Sequence, residues 1–378
     1  MGANFFRILV ILALLFHAQS LISVPIPTKK INVKGVRGGC SGRESIDWFP
    51  EWLKSNDQKL LRDANGKVAD VVVAADGTGK FTSISDAIRA APDYNIKTFV
   101  IHVKKGVYKE YVEIGTEKSN IMLIGDGIDA TVVSGNRNRV DGWETHQSAT
   151  FSVKGQGFIA RDITFENTAG PEKQQAVAFM SESDRTVMYR CAFRGYQDTL
   201  YASKQRQFYR ECKIKGTIDF IFGDGAVVFQ ACDILARQAL PGQQNTITAQ
   251  GRKIVNYASG FSLHLCNISV EPGVTTRTYL GRPWKEYSRT IIMKSYISGA
   301  IQPEGWLPWN KSAFALDTLY YGEYMNNGPG AKLGGRVKWP GYHVITSPVQ
   351  ANVFTVAKFI DGDTWLPSTG VKYMGGLG

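Results

Sequence analysis

From Thr98 to about Ser298 the chain alternates between short apolar runs and polar breaks at glycine, asparagine or aspartate. Runs of this length, rich in Val, Ile, Phe and Thr, predict β-strands. They are Thr98–Val103, Asn120–Ile124, Thr150–Val153, Phe158–Glu166, Ala176–Met180, Val187–Phe193, Phe208–Ile214, Val227–Leu235, Thr246–Ala249, Phe261–Val270 and Thr290–Lys294. An earlier strand, Ala69–Ala74, ends at Asp76-Gly77-Thr78-Gly79. The period then changes: Phe81, Ile84, Ala87, Ile88 and Ala91 stand at helical spacing, and Pro92 stops the helix they predict.

The strands also repeat. Arg190-Cys191-Ala192-Phe193, Glu211-Cys212-Lys213-Ile214 and Ala231-Cys232-Asp233-Ile234 share one pattern, with steps of 21 and 20 residues between cysteines. Leu265-Cys266-Asn267-Ile268 repeats it later, and Asp162-Ile163-Thr164-Phe165 is a variant with Ile in place of Cys. A period of this length marks a solenoid, and short strands make it an all-β one, a parallel β-helix. The helix near residue 85 is expected to cap its open end, which needs its core covered. From Trp306 onward the chain has little period and many Trp, Tyr and Pro residues. This tail is expected to pack back across the solenoid as loops and a short helix or two, without a second domain.

The repeat bears on chemistry through Tyr196-Gln197-Asp198-Thr199-Leu200-Tyr201 and Gly216-Thr217-Ile218-Asp219-Phe220-Ile221-Phe222-Gly223. Asp198 and Asp219 are 21 residues apart, so one coil would bring them to neighbouring strand positions roughly 4.8 Å apart. Two carboxylates that close do not both ionise easily; one keeps a proton near neutrality. The pair therefore offers a nucleophile and an acid from one residue type. Taken singly, an aspartate in a solenoid is more often a turn residue.

Composition narrows the classes. The 378 residues are 43% apolar with 39 glycines, which suits a folded chain with many tight turns and not a disordered one. A formal charge of +11 favours a polyanionic partner, nucleic acid or an acidic polysaccharide. No nucleic-acid-binding motif or long Lys/Arg run accompanies it, so no nucleic-acid partner is expected. Five histidines without zinc spacing, and no Gly-x-Ser-x-Gly elbow, argue against a metal enzyme and a Ser-His-Asp hydrolase; no cofactor is expected. His102 is expected in a strand ladder as a hydrogen-bonded structural residue.

Met1–Arg7, the apolar run Ile8–Phe16 and Ala18-Gln19-Ser20 read as a secretory signal peptide over residues 1–20. The run is too short for a membrane span of roughly 20 residues, and no later segment offers one, so no membrane partner is expected. Residues 21–65 read as a short pro-region or arm, and 66–378 as the catalytic β-helix domain. The sequons Asn267-Ile268-Ser269 and Asn310-Lys311-Ser312 fit secretion. Five cysteines permit disulfides but leave one over. Cys191, Cys212, Cys232 and Cys266 at ladder positions are read first as small buried hydrophobes, with Cys232–Cys266 the candidate if one bridge exists.

Four blocks closely resemble the signatures of plant pectin methylesterases: Gly170-Pro171-Glu172-Lys173-Gln174-Gln175-Ala176-Val177-Ala178, Gly195–Tyr201, Gly216–Gly223 and Leu280-Gly281-Arg282-Pro283-Trp284. The resemblance runs from about Val71 to the C-terminus. It implies a right-handed parallel β-helix that removes methyl groups from methylesterified homogalacturonan in the cell wall. It further implies Asp219 as nucleophile, Asp198 as general acid and later base, and Gln175 and Gln197 as oxyanion-hole donors. Arg282 would orient the nucleophile. Thr145, Tyr201, Phe222, Trp284 and Trp306 resemble groove residues that contact substrate, although such aromatics are more often core. A monomer is expected, with a proteinaceous pectinesterase inhibitor as a candidate partner. Many relatives carry an N-terminal inhibitor-like domain; this chain is expected to be a short form without it, and Asp57-Gln58-Lys59-Leu60-Leu61 resembles the processing junction that follows such a domain.

Departures from the family pattern fall around the site. Gln174 stands for the usual His, Phe179-Met180 for Leu-Arg, Asp224-Gly225 for Asn-Ala, and His146 for Phe. A third carboxylate, Asp224, near the pair would raise its pKa or repel an acidic substrate. Asp224 and the Gln174 substitution motivate the alternative, a non-catalytic pectin-binding protein on the same scaffold in which they have spoiled turnover. A pectate lyase would need a calcium-binding carboxylate cluster, and none is visible around Asp198 and Asp219.

Overall fold

The computed structural model describes residues 69–378. The signal peptide expected over 1–20, the arm over 21–65 and the junction at Asp57–Leu61 lie outside the described residues. The described strands form three parallel sheets of eleven, eight and seven strands. A complete coil contributes one strand to each sheet, as one does with Thr186–Tyr189 in the first, Ala192–Arg194 in the second and Leu200–Ala202 in the third. Register is kept from coil to coil, as in the rung Val187, Phe208, Val228 and Ser262. This is the right-handed parallel β-helix that the repeat and the resemblance imply.

Five predicted strands prove to be two strands each. Phe158–Glu166 divides into Ile159–Arg161 and Thr164–Asn167, and Val187–Phe193 into Thr186–Tyr189 and Ala192–Arg194. Phe208–Ile214, Val227–Leu235 and Phe261–Val270 divide in the same way. The turn is made by one left-handed residue: Asp162, Arg190, Glu211, Ala231 or Leu265, with φ between 49° and 57°. Residues on both sides of it point inward, as Tyr209, Cys212 and Ile214 do, so the apolar pattern continues while the chain turns.

The interior is a stack of side chains at fixed registers. Phe165 stacks on Phe193 at 5.8 Å, and Tyr209 on Phe229 at 4.9 Å. Cys191, Cys212, Cys232 and Cys266 each follow the left-handed residue, are buried and are free thiols. Their sulfurs donate to the carbonyls of Ala160, Met188, Tyr209 and Phe229 in the preceding coil, at 3.3–3.4 Å. The Cys232–Cys266 bridge is therefore absent, and the reading as buried hydrophobes holds. His102 is half-buried on its strand and bonds Asp126 at 2.7 Å.

The helix spans Ile84–Ala90, three residues later than its pattern suggested, because Phe81 bridges Val73 as a strand residue and Ser83 caps the helix. Ser83 Oγ accepts from the Asp86 amide, and the Glu110 carboxylate accepts from the amides of Ile84 and Ser85. Ile84, Ala87 and Ile88 close the end of the core. In the tail, Val356, Ile360, Trp365, Leu366 and Val371 cover the outer face of the eleven-stranded sheet at Val100, Met122, Ile159, Val187, Phe208 and Val228. Strands buried on both faces read as continuous apolar runs, as these do.

Candidate active site

The seven-stranded sheet forms the floor of the site. Its outward residues stack in register as Ala249, Phe222, Tyr201, Met180, Ser152 and Glu113. Asp198 and Asp219 stand just before two of these strands, Leu200–Ala202 and Ile221–Gly223, and both have left-handed backbone, with φ of 65° and 51°. Non-glycine residues held this way cluster at functional sites. The Asp198 amide donates to the Ile218 carbonyl at 3.1 Å, which brings the two aspartates together one coil apart, as the repeat predicts.

Their surroundings differ. Asp219 is 6% exposed and fully engaged: Arg282 donates Nε to Oδ1 at 2.8 Å and Nη2 to Oδ2 at 2.7 Å. Thr246 donates its hydroxyl to Oδ1 at 2.6 Å and accepts from the Asp219 amide at 2.9 Å. Such a bidentate, charge-assisted pair fixes the orientation of a buried carboxylate. Asp198 is 8% exposed, and its carboxyl is held well above the usual carboxylate range. Burial is the chief cause, the charge of Asp219 adds to it, and Arg282 opposes both. One aspartate is thus paired with a guanidinium, and the other holds its proton more tightly than a free carboxyl does.

Arg282 extends from the end of the strand Thr278–Gly281, its guanidinium 4.5 Å from the Trp309 ring. Glycine is required at 281, where a Cβ would lie 2.1 Å from Thr248 Oγ1. It is also required at 223, where φ is +129° and a Cβ would meet the Ala202 carbonyl at 2.0 Å.

The cleft encloses about 360 Å3. Its walls bring together Asp198, Asp219, Gln175, Gln197, Arg282, Thr145, Tyr201, Phe222 and Trp284. Gln175 Oε1 is buried there without a partner, an unsatisfied group at the wall. Tyr201 and Phe222 stack at 4.2 Å, and the Trp284 ring stands edge-on to both. His146 is exposed at the rim.

Two expectations are corrected. Trp306 does not line this cleft: it is 1% exposed, stacks on Tyr321 at 4.2 Å and donates its indole N–H to Glu323. A buried partner for the N–H lets the ring sit in the core, and Trp309 takes the place at the cleft. Asp224 is not directed at the pair. Its carboxylate accepts from Ser259 and Gln250, and the charges acting on Asp198 are those of Asp219 and Arg282. Sequence reading did not single out Thr246 or Trp309, which the structure places against Asp219 and Arg282. Thr246 lies in a predicted strand, but nothing in one dimension reports its 27-residue reach to Asp219. Among the described residues no group of three or more His, Cys, Asp or Glu side chains is placed to hold a metal ion.

A parallel β-helix with a paired-aspartate cleft on one sheet face is the class that fold and site define. The pectinesterase family model matches residues 70–363, and the chain belongs to that family. It is 63% identical over 334 residues to the probable pectinesterase/pectinesterase inhibitor 32 of Arabidopsis thaliana, across 87% of this chain and 63% of that one. It is 61% identical over 336 residues to the pectinesterase/pectinesterase inhibitor PPE8B of Prunus persica, across 87% and 64%. The chain thus spans under two thirds of the length of these relatives. Among solved structures, pectin methylesterase from carrot matches with a TM-score of 0.82 at 48% identity, over 83% of this chain and all of that one. A pectin methylesterase in complex with a hexasaccharide matches at 0.66 and 26% identity, over 78% and 98%.

Proposed function

We propose that the chain is a pectin methylesterase, a carboxylic ester hydrolase that converts methylesterified homogalacturonan to the free acid and methanol. One observation carries the reading: two buried neighbouring aspartates, one fixed as an anion by Arg282 and one held as an acid. The Asp219 carboxylate attacks the ester carbonyl carbon, and the amides of Gln175 and Gln197 stabilise the oxyanion that forms. Collapse breaks the bond to the methoxy oxygen, which takes the proton of Asp198 and departs as methanol. The resulting anhydride with Asp219 is opened by water, whose proton Asp198 takes. The acid leaves, and both aspartates return to their starting states. Thr145, Tyr201, Phe222 and Trp284 would line the sugar path.

The non-catalytic alternative rests on Asp224 and Gln174, and of these the Asp224 carboxylate is turned toward Ser259 and Gln250. We further infer secretion to the cell wall and action as a monomer, with a proteinaceous inhibitor as a candidate partner. Among the described residues no helix is long and apolar enough to cross a membrane. Asn267 and Asn310, the sequon positions, are exposed. The test is methanol release from highly methylated pectin by the purified chain without added calcium, with ultraviolet absorbance followed for unsaturated products. Methanol without such absorbance is expected. Binding without methanol from acid to alkaline pH would replace the enzyme with the binding protein.

A further inference from the structure

The cleft at the aspartates continues into a second hollow of about 520 Å3, sharing His146 and Tyr201 with it. Its floor descends the ladder from Tyr201 through Met180 and Ser152 to Glu113, three rungs or roughly 14 Å at the strand spacing. Along that path the floor changes from aromatic to charged. At its wall the Arg137 guanidinium is sandwiched between two rings, 3.8 Å from the centre of Tyr111 and 3.9 Å from that of Trp143.

The sandwich is built. The Tyr111 hydroxyl donates to Asn136 Oδ1 and accepts from the Asn136 amide, at 2.8 and 3.1 Å. Asn167, 3% exposed, donates its side-chain amide to the Arg137 carbonyl at 2.8 Å. The Arg139 amide donates to the Gln175 carbonyl, tying this loop to the wall of the catalytic cleft. The carboxylates of this hollow are matched: Lys154 pairs with Glu113, and Glu182 with Lys204. Arg137 has no carboxylate partner among the described residues. Stacking fixes the plane of the guanidinium and leaves its N–H edge to bond a planar anion.

We propose that Arg137 is a specificity-determining residue that binds a free carboxylate of the polymer several sugars from the reacting ester. Esters flanked on that side by de-esterified uronate are then the preferred substrates. A methyl ester has no charge to offer the guanidinium, so the discrimination is between uronate and its ester. This rests on the pectin methylesterase reading and names the substrate pattern of the same groove.

The test compares the parent, Arg137→Gln and Arg137→Lys on fully methylated and on partly de-esterified homogalacturonan, by initial rates of methanol release. On the partly de-esterified polymer, R137Q is expected to lose about tenfold in kcat/KM through KM, with kcat within about twofold, the size of one partly exposed charge-assisted contact. On the fully methylated polymer it should match the parent within about twofold, which also certifies its fold. R137K, which keeps the charge without the planar fork, should fall between. An equal loss on both polymers, or none on either, overturns the proposal. If the parent releases no methanol from either polymer, the esterase reading fails by itself. Calorimetry with a short, fully de-esterified galacturonate oligomer then decides the role of Arg137: about tenfold weaker binding by R137Q supports it, and equal binding overturns it.

Discussion

Two corners of the coil hold non-glycine residues in left-handed backbone and use them for different ends. Between the eleven- and eight-stranded sheets the positions are Asp162, Arg190, Glu211, Ala231, Leu265, Lys294 and Met325, with φ of 49–57°. Before the seven-stranded sheet they are Asp198 and Asp219, with φ of 65° and 51°. Each such residue costs on the order of 1 kcal/mol in backbone strain. At the first corner seven different side chains bear that cost, because only the turn matters. They point outward, where some form ion pairs, as Asp162 does with Arg190, while Met325 is 67% exposed. The residue after the corner does the packing, as Cys191, Cys212, Cys232 and Cys266 do. At the second corner the side chains point into a buried cleft, and their chemistry is what the position holds. The same backbone conformation is a hinge in one place and a mount for reactive groups in the other.

The comparison breaks most visibly in activity. Asp219→Asn or Asp198→Asn should lower methanol release by about a thousandfold or more, as loss of a nucleophile or its acid does. Ala231→Asp, an aspartate in the same backbone conformation at the first corner, should leave the rate within about twofold. A comparable fall in the Ala231 variant would show that the corners are not separable. One step outward, Trp309→Ala removes the ring beneath Arg282 and should lower kcat about tenfold while Arg282 keeps its carboxylate partner. An unchanged kcat would mean that the two hydrogen bonds to Asp219 hold Arg282 unaided.

Stability gives the finer contrasts. The Asp198 carboxyl lies above the usual range in the folded state, so the folded chain binds its proton more tightly than the unfolded chain does. Its contribution is full below about pH 4, the unfolded value, and fades as pH rises toward the folded value. The Asp198→Asn variant has no proton to lose, so its melting temperature should gain on the parent's as pH rises from acid to neutral. A gap constant with pH would contradict the assignment of Asp198 as the acid. The smallest effect belongs to the first corner: Ala231→Gly relieves left-handed strain but frees the unfolded chain, for a net change within about 1 kcal/mol in urea denaturation. Its methanol release should be untouched.

Much of this was legible in one dimension because the solenoid writes its third dimension into a period. Twenty-one residues between Asp198 and Asp219 is one coil, and one coil is one strand spacing, so their pairing follows from the repeat. The capping helix and the inward cysteines follow from apolar spacing in the same way. Other features depend on contacts with no fixed sequence interval. Trp306 and Trp309 stand three residues apart in an aperiodic segment; burial against Tyr321 sends one to the core, and the Arg282 guanidinium draws the other to the cleft. Asp224 looked like a third charge beside the pair until the fold turned it toward Ser259. The corners that divide five strands were invisible because inward residues on both sides keep the apolar pattern intact. Sequence alone determined the repeat, and through it the helix and the meeting of the aspartates. The resemblance implies different roles for the two aspartates, but only tertiary structure shows what makes them differ, because Arg282 and Thr246 reach Asp219 across 63 and 27 residues, intervals that no repeat sets, while Asp198 is buried beside them.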